Sequence, residues 1–444
     1  MRHAVLAAAL VAATATIPSH AADAAITAAG NAFLPGSVSV SRGSHLTFAN
    51  ADVAPHNVVA DASGRTGPLF ASKTVTAGQT AEVTGVAKLK PGTYPFHCSV
   101  HPRMVGALTI TGGNAATVAA TPAGSVPTPT SLAFFGNALY VASYTTNQVL
   151  TLPVLPGGVL GQPAPYVTGL DEPLGVAFAP DGTLFVSDSH AAGAARAGRV
   201  WQVDSTGTKK VVIDGLPNGR HNTNGLAVRN NRLYVANGSS TDDGVTGGPP
   251  ERPLSGTVLS YALPIRPGAK PVVEARGLRN AFDLAFAPGT GDLWFATNGP
   301  DALDPYGEDL LHKVPVARGT YDYGFPGCVY AADLERAQNR NVAIPCAADV
   351  RRPERALGLH VSADGLAFGT GGAWGSDLYV AEYGSNAPPR AGHTVVRIPV
   401  ANGRAGEPET LLTGAAPIDV AFGPDGLYVA DFDTGAILLL RAVG

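Results

Sequence analysis

The sequence predicts an all-β chain, organised as a β-sandwich followed by a six-bladed β-propeller. Charged residues make up only 14% of the 444 residues, whereas the chain contains 54 glycines and 36 prolines. This balance favours many tight turns over long solvated helices. Residues 25–112 contain short segments in which apolar and polar residues alternate, as in half-buried strands. Beyond them, one pattern of paired apolar segments recurs six times.

Residues 1–21 have the features of a secretory signal peptide. Arg2 is followed by an apolar run that ends at Ile17, and Ser19 and Ala21 occupy the −3 and −1 positions of a cleavage site. The run is too short to span a bilayer comfortably, and no second run of about 20 apolar residues follows it. We therefore expect cleavage after Ala21 and a periplasmic or secreted protein without a membrane span.

Residues 22–112 form the predicted sandwich, and residues 113–130 the predicted linker. The sandwich region contains about eight segments of strand length, such as "GALTITG", with Gly, Pro, Asn or Asp at the breaks. The linker region is small, polar and proline-bearing without periodicity, and it could include an entering strand.

Residues 131–444 form the predicted propeller. Each copy of the repeat is an apolar triplet, a turn and an apolar strand, and the turn is Pro-Asp-Gly in two copies. Units that bury their faces only against neighbours close most simply as a ring, whereas an array of sandwiches leaves the even repetition unexplained. Insertions at residues 239–255 and 300–360 are expected on one face. The copies begin at Ser131, Gly175, Gly225, Asp283, Gly365 and Asp419.

The charge distribution gives no sign of a polyanionic partner. The formal net charge is −4, and no cluster of Lys and Arg is longer than a pair. Binding to a nucleic acid or to an anionic membrane surface normally requires a basic patch on the protein. We therefore predict neither partner.

The segment "CSVHPRM" carries the strongest chemical signal. Cys98, His101 and Met104 lie three residues apart between two strand-like runs, and His56 precedes them by 42 residues. A soft thiolate, two imidazoles and a weak thioether are the ligands of copper in a trigonal site with one long axial bond. Taken singly, Met104 could be a core residue and Cys98 an inert buried thiol. The two other cysteines, Cys328 and Cys346, could pair and leave Cys98 alone.

Residues 25–112 resemble the cupredoxin family, and within it the amicyanin and plastocyanin branch, through "PHNVV" and "YPFHCSVHPRMVG". The resemblance implies a type 1 copper with His56, Cys98, His101 and Met104 as ligands. It also implies that Asn57 joins the two ligand segments and that His101, at an apolar edge, is the electron port to a cytochrome or another carrier.

Residues 170–444 resemble the glucose/sorbosone dehydrogenase family through "NGRHNTNGLAV", "RGLRNAFDLAF" and "ATNGPDAL". Members of that family are six-bladed propellers that oxidise sugars or related alcohols with pyrroloquinoline quinone (PQQ) and calcium. The resemblance implies that His221 is the general base and that Arg279 and Asn280 hold the quinone oxygens. The carbonyl oxygens of Gly299 and Pro300 would then bind calcium.

The same resemblance implies a disulfide between Cys328 and Cys346 that closes an insertion loop. The leading hypothesis is an exported protein that oxidises an alcohol or an aldose with PQQ and passes the electrons to its copper. Two alternatives remain. A propeller without catalysis could serve as a binding module, since Tyr383 replaces the histidine of sorbosone-type sequences and Ala416 an arginine usual in the family.

A propeller hydrolase such as a lactonase is the other alternative. It would hold a metal ion with Glu, Asp and Asn side chains at the starts of the inner strands, around the central channel. Only Asp283 and Asp419 stand at such positions.

Overall fold

A computed structural model describes the chain in two compact units, residues 1–113 and 114–444. The predicted signal peptide lies outside the described residues. Within those residues no helix is long and apolar enough to cross a membrane. The residues that the structure describes are 24–41, 45–61, 63–64, 67–89, 92–111, 118–189, 197–246, 248–301, 303, 306–385 and 391–442.

The first unit confirms the predicted β-sandwich. Nine of its strands follow the order β2-β1-β4-β9-β8-β5-β10-β11-β3, and β6 pairs with β7. The strands are β1 (Ala24–Ala29), β2 (Ala32–Leu34), β3 (Ser37–Ser41), β4 (Leu46–Asn50), β5 (Val59–Ala60), β6 (Ser63–Gly64), β7 (Gly67–Pro68), β8 (Ala71–Ser72), β9 (Thr80–Thr84), β10 (Gly92–His97) and β11 (Val105–Thr111). A 3₁₀ turn covers Val86–Lys88.

Side chains from alternate strand positions fill the interior of this unit. Leu46, Phe48 and Asn50 of β4 are buried, whereas the two residues between them are more exposed. Phe33 packs edge-on against both Phe48 and Phe96, with ring centroids 6.0 and 4.9 Å apart. Aromatic edge-to-face packing of this kind stabilises a small core. The core therefore supports the loop that follows β10.

The second unit confirms the six predicted repeats as six blades of a propeller. The two inner strands of each blade come from one copy of the repeat. In blade order the strands are β13 (Pro129–Phe135), β14 (Ala138–Ser143), β15 (Gln148–Pro153) and β16 (Ala164–Val167); β17 (Pro173–Phe178), β18 (Leu184–Asp188), β19 (Ala197–Val203) and β20 (Lys209–Pro217); β21 (Thr223–Arg229), β22 (Arg232–Asn237), β23 (Thr257–Ala262) and β24 (Val272–Arg276); β25 (Asn280–Ala281), β26 (Ala285–Phe286), β27 (Leu293–Asn298), β28 (Glu308–Val314) and β32 (Arg355–Leu359); β33 (Ala363–Phe368), β34 (Leu378–Glu382), β35 (Thr394–Ile398) and β38 (Glu409–Thr413); β39 (Pro417–Gly423), β40 (Gly426–Asp431), β41 (Ala436–Ala442) and β12 (Val118–Ser125).

Shorter elements lie between the blade strands. The strand β29 extends blade three by parallel pairing with β24, and two hairpins and two 3₁₀ turns complete the unit. These elements are β29 (Tyr321–Asp322), β30 (Cys328–Tyr330) with β31 (Arg336–Gln338), β36 (Val400–Ala401) with β37 (Arg404–Ala405), and the 3₁₀ turns Pro156–Gly158 and Gly372–Trp374.

The sixth blade closes the ring with a strand from the start of the unit. The strand β12 pairs antiparallel with β41, from Val118 opposite Ala442 to Ser125 opposite Ala436. The last two residues of the segment expected to be a linker, 113–130, begin β13 of the first blade, and eight others form β12 of the sixth. The pairing partner of β12 lies more than 300 residues away in the sequence, so the composition of the segment alone does not identify it as a blade strand.

The insertions also differ from the sequence expectation. Residues 239–255 connect β22 to β23, as predicted for a loop. Residues 300–360 are not one insertion, because they contain the blade strands β28 and β32. Two separate segments remain, 299–307 and 315–354. The first is the equivalent of the β22–β23 connection in the next blade.

Candidate copper centre and propeller site

The segment between β10 and β11 holds three of the predicted copper ligands in a tight loop. The amide of Cys98 donates a hydrogen bond to the Met104 carbonyl at 2.9 Å, and the Met104 amide donates to the His101 carbonyl at 2.8 Å. The His101 amide in turn donates to the Cys98 carbonyl at 3.1 Å. The loop is therefore closed by its own backbone at both ends.

His56 reaches the same point from another part of the sandwich. Its backbone pairs with Val75 through hydrogen bonds of 3.1 and 2.9 Å. The Nδ1 atom of its ring lies 3.7 Å from Cys98 Sγ and 3.1 Å from His101 Nδ1, and the latter atom lies 3.9 Å from Cys98 Sγ. The point equidistant from these three atoms lies about 2.1 Å from each of them. This distance matches the roughly 2.0–2.3 Å of the bonds that a first-row metal such as zinc forms with His and Cys.

The environment of these atoms also suits a metal ion. Cys98 and His56 are fully buried, and Met104 is buried in the same apolar cluster as Cys98. Two imidazole nitrogens that face each other at 3.1 Å cannot both remain bare acceptors, so they need a proton or a cation between them. A thiolate with two imidazoles is a donor set that binds copper. The residues therefore fit the metal.

Asn57 connects the two ligand segments, as the resemblance implies. Its Oδ1 accepts a hydrogen bond from the Ser99 amide at 2.9 Å, and its Nδ2 donates to Ser99 Oγ at 2.8 Å. Exposed apolar residues accompany His101 in the loop region, since Val100 and Val105 are 44% and 52% exposed. His101 itself is half-buried.

The sequence of this unit matches known proteins. A family model described as "Cupredoxin-like domain" matches residues 2–110. Plastocyanin from Solanum tuberosum is 38% identical over 86 residues, which are 18% of this chain and 87% of that protein. Plastocyanin from Solanum crispum is 40% identical over 91 residues, which are 18% of this chain and 89% of that protein.

This chain belongs to the cupredoxin family through its N-terminal domain. Copper is the metal that this family and the Cys98, His56 and His101 donor set imply together.

The propeller brings His221, Arg279 and Asn280 together around Gly238 and Ser239. A Cβ at Gly238 would collide with both the Cβ of His221 and the Oδ1 of Asn280. The next residue, Ser239, donates its amide to the Arg279 carbonyl at 2.6 Å. The three residues predicted from the sequence therefore adjoin one another, although they come from the connections of two blades.

The hydrogen bonds of His221 define which ring nitrogen carries the proton. Ser239 Oγ donates to the Thr241 carbonyl at 2.6 Å, so it accepts at its 3.0 Å contact with His221 Nδ1. The proton is then on Nδ1, and Nε2 is left with a lone pair. Burial, together with the positive charges of Arg279 and Arg220, lowers the pKa of His221 well below its ordinary value. His221 is thus neutral at neutral pH.

Arg279 is buried and largely committed to acidic partners. Its Nε donates to the Asp242 carbonyl at 2.8 Å, its Nη2 donates to the Asp242 carboxylate, and the same Nη2 lies 3.5 Å from Asp301 Oδ2. Nη1 donates to the Asn298 carbonyl at 3.3 Å. Among the described residues, these contacts leave one Nη1–H for another acceptor.

Asn280 belongs to a row of side-chain amides that crosses three blades. Asn224 Nδ2 donates to Asn280 Oδ1 at 2.8 Å, and Asn280 Nδ2 donates to Asn298 Oδ1 at 2.7 Å. Asn298 Nδ2 donates to Asp364 Oδ1 at 3.2 Å. The row fixes the orientation of each amide. Asn224, Asn298 and Asp364 are not predicted from the sequence, because no local pattern reveals hydrogen bonds between residues of separate blades.

Gly299 and Pro300 form a buried turn that leads away from Asn298. The Gly299 amide donates to Asp309 Oδ1 at 2.8 Å, and a Cβ at Gly299 would collide with the Gly307 carbonyl. Arg279, Gly299 and Pro300 also line a cavity of about 30 Å³. A cavity of this size holds at most one or two water-sized ligands.

The predicted disulfide between Cys328 and Cys346 is present. The loop that it closes contacts the segment that carries Asp242. Asn339 Nδ2 donates to the Asp243 carbonyl at 2.7 Å, and Asn341 Nδ2 donates to Asp243 Oδ2 at 2.8 Å. The disulfide loop therefore supports the connection that holds Ser239 and Asp242 beside His221 and Arg279.

The central channel contains Asp283 and Asp419 in a cavity of about 310 Å³ lined by all six inner strands. Asp283 Oδ2 accepts from the Leu366 amide at 3.2 Å, and Asp419 Oδ2 accepts from the Leu132 amide at 2.7 Å. Burial raises the pKa of Asp283 to about 7 and that of Asp419 well above its ordinary value. Both carboxyls therefore join neighbouring blades. Among the described residues, the only group of His, Cys, Asp and Glu side chains arranged to hold a metal ion is His56, Cys98 and His101, so this channel shows no metal-ligand cluster of the kind that the hydrolase hypothesis requires.

The propeller fold resembles that of the three solved structures named here, each of which is below 25% identical to this chain. The calcium structure of Trichoderma reesei Family AA12 has a TM-score of 0.63 and 19% identity, covering 74% of this chain and 96% of that chain. The holo PQQ domain of Coprinopsis cinerea pyranose dehydrogenase has a TM-score of 0.61 and 16% identity, covering 73% and 95%. PQQ-bound aldose sugar dehydrogenase from Streptomyces coelicolor has a TM-score of 0.53 and 19% identity, covering 73% and 99%.

Proposed function

We propose that the chain is an exported redox protein that oxidises an alcohol or an aldose sugar at its propeller and transfers the electrons through its copper to a cytochrome or another carrier. The observation that carries the copper part is the triangle of Cys98 Sγ, His56 Nδ1 and His101 Nδ1. The observation that supports the enzymatic part is the neutral His221, held by Ser239 next to Arg279. A signal peptide over residues 1–21 remains our explanation for export.

The copper of a type 1 site would be held by His56, Cys98 and His101, with the Met104 thioether as a weaker ligand. When bound, the metal supplies one-electron chemistry. The protein supplies a closed loop, buried donors and the Asn57 contact to Ser99, so the donors keep their positions in both oxidation states. The half-buried ring of His101, with the exposed Val100 and Val105 near it, is the proposed electron port.

PQQ, when bound, supplies a two-electron acceptor for the hydride of the substrate C–H bond. The general base would be Nε2 of His221, which accepts the proton of the substrate hydroxyl. Since the pKa of His221 is lowered, the base is not blocked by protonation at neutral pH. The free Nη1–H of Arg279 and the remaining Nδ2–H of Asn280 would bind oxygens on which negative charge develops.

The carbonyl oxygens of Gly299 and Pro300 would serve a calcium ion, because hard oxygen ligands suit that metal. Similarity to the PQQ-bound aldose sugar dehydrogenase and the pyranose dehydrogenase PQQ domain supports an aldose or a related alcohol as substrate. Because acceptor and enzyme share one chain, transfer to the copper would be intramolecular.

The test uses the full chain loaded with copper and then incubated with PQQ and calcium chloride. Anaerobic mixing with a panel of aldoses and alcohols should bleach the visible band of the oxidised copper within one turnover. Samples without PQQ, or without substrate, should keep the band. A protein that binds copper and PQQ but keeps its band with every substrate would contradict the transfer.

A propeller that binds a ligand without catalysis is the second candidate. It is favoured by one contact, since Tyr383 Oη donates to the carboxylate of Asp433 at 3.1 Å where the resemblance implies a histidine. Ala416, in place of an arginine, is buried and offers no charge. Calorimetric titration with PQQ separates the candidates, because the second one predicts copper binding with no uptake of PQQ.

A further inference from the structure

His56 differs from the other copper ligands because its second ring nitrogen faces a carboxylate. Its Nδ1 points to Cys98 and His101, whereas its Nε2 lies 3.1 Å from Asp52 Oδ2. The His56 ring is fully buried and the Asp52 side chain is 19% exposed. With Nδ1 on the metal, Nε2 carries the ring proton and presents it toward the negative charge.

The two atoms are close, but their geometry is not that of a regular hydrogen bond, and Nε2 has no other hydrogen-bond partner within the described part of the chain. An approach of 3.1 Å between a ring N–H and a carboxylate is nevertheless a strong electrostatic contact when one partner is fully buried. A small rotation of the ring on metal binding would align the two groups. Carboxylates in this position orient a metal-bound imidazole and increase its basicity.

Asp52 is held in place independently of His56. Its Oδ1 accepts from the Gly30 amide at 2.7 Å, and its Oδ2 accepts from the Asn31 amide at 2.9 Å. These two amides form the turn between β1 and β2, where both residues have positive φ angles of 63° and 57°. The Asp52 amide also donates to Asn50 Oδ1 at 2.8 Å. The negative charge is therefore fixed rather than mobile.

We propose that Asp52 is a positioning residue for the copper site, which orients His56 and lowers the reduction potential of the bound copper. A fixed negative charge near the ring stabilises Cu(II), the more positively charged state, relative to Cu(I). The inference rests on the proposed binding of copper by His56. The β1–β2 turn, which holds Asp52, would then influence the reduction potential of a metal that binds on the opposite side of the His56 ring.

The test compares Asp52→Asn with wild type in the copper-loaded full chain. Asparagine keeps the size of the side chain and its carbonyl acceptor but removes the charge. We expect the Cu(II)/Cu(I) equilibrium to shift toward Cu(I) by about tenfold, which is about 59 mV for one electron. The matched control is Glu82→Gln, because Glu82 forms a carboxylate–imidazole contact of 2.9 Å with His45 on the surface of the same domain.

Redox titration of the visible band and electron paramagnetic resonance are the readouts, and neither depends on catalytic activity. A raised potential in Asp52→Asn, with an unchanged potential in Glu82→Gln, supports the inference. Rescue by Asp52→Glu also supports it if Asp52→Asn folds but no longer binds copper. An unchanged or lowered potential in Asp52→Asn overturns it, as does an equal shift in Glu82→Gln. A wild-type protein that takes up no copper would instead refute the proposed function.

Discussion

The copper centre and the propeller site are assembled in different ways. Cys98, His101 and Met104 lie within seven residues, and their loop is closed by its own backbone. The propeller site draws His221 and Arg279 from the connections of two blades, and it depends on the ring to bring them together. Three of the four proposed copper ligands need little more than their own loop and only His56 comes from elsewhere, whereas the site between blades requires every neighbouring segment to be correctly placed.

The two domains can be observed separately. All three tryptophans, Trp201, Trp294 and Trp374, lie in the propeller, so their fluorescence reports on that domain alone. The visible band of bound copper would report on the cupredoxin domain. A substitution in one domain is therefore expected to leave the signal of the other domain unchanged.

The largest effect is expected from Cys98→Ser. Removal of the buried thiolate eliminates the ligand that gives the copper its strong visible absorption, so the band should disappear. Tryptophan fluorescence and its thermal transition should stay as in wild type. Val100→Ala, a change at an exposed position of the same loop, serves as the control and should keep the band. A blue Cys98→Ser protein would contradict our ligand assignment.

His221→Gln tests the other side of the comparison. If Nε2 is the general base, turnover of PQQ-loaded protein should fall by about 10²–10⁴-fold. The copper band and potential should not change. His45→Gln, at an exposed histidine of the cupredoxin domain, is expected to keep full activity. Turnover within a factor of two of wild type in His221→Gln would remove this residue from the mechanism.

A matched pair of core substitutions tests whether the domains are stable independently. Phe48 in the sandwich and Phe295 in the propeller are both fully buried. Replacement of either phenylalanine by alanine should lower the free energy of unfolding of its own domain by about 3–5 kcal/mol. Phe48→Ala should lower the melting temperature seen by the copper band only, and Phe295→Ala the one seen by fluorescence only. A shift in both signals would show that the domains unfold together.

The pH dependence of propeller stability follows from its buried carboxyls. Burial raises the pKa of Asp283 to about 7 and that of Glu382 to about 8. The unfolded chain releases these protons near pH 4, whereas the folded propeller retains them. Stability should therefore be highest below about pH 4 for these groups and fall as pH rises to about 8, by about 1.4 kcal/mol per pH unit for each group.

Fluorescence-detected unfolding at several pH values measures this slope, and Asp283→Asn should flatten it. Asp243 provides a control of opposite sign. Burial disfavours its ionisation, but hydrogen bonds from Thr246, Val245 and Asn341 outweigh burial and lower its pKa to about 2. The stability that ionised Asp243 contributes is present above about pH 4 and is lost as pH falls toward 2. Asp243→Asn should therefore leave the slope of stability against pH unchanged between pH 5 and 8. An unchanged slope in Asp283→Asn would contradict the assignment.

The smallest effect is expected from Ser239→Ala. The hydrogen bond to His221 Nδ1 orients the proposed base and contributes about 0.5–1.5 kcal/mol. Its loss should therefore lower turnover by about two- to tenfold. Nitrogen-15 resonances of labelled histidine should show a mixture of tautomers in place of one. Ser240→Ala is the control, since that side chain contacts Ser255 instead. A single unchanged tautomer in Ser239→Ala would show that another group orients the ring.

The copper ligands could be predicted because their spacing is local and their residue types are rare in this chain. With only three cysteines and two methionines, the positions of Cys98 and Met104 carry information that a leucine would not. The six blades could be predicted for a related reason, since the turn and strand pattern repeats within each copy.

The remaining features depend on contacts between distant residues. Ser239, Asp242 and Asn298 contact the predicted propeller residues only because neighbouring blades pack side by side. Asp52 could have been suspected from its i, i+4 spacing to His56, but a loop gives no rule for that geometry. The pairing of β12 with β41 depends on the closure of the ring, which no segment of the chain encodes by itself.

The strand β12 has a consequence for the order in which the protein matures. Its Thr121 side chain donates to the carbonyl of Leu439, which is 318 residues later in the chain. Contacts between such distant residues form slowly, because a long loop must close first. All four proposed copper ligands, by contrast, are available once Met104 has emerged. We expect the cupredoxin domain to mature while the propeller is still an open chain, so copper uptake should not have to wait for the ring.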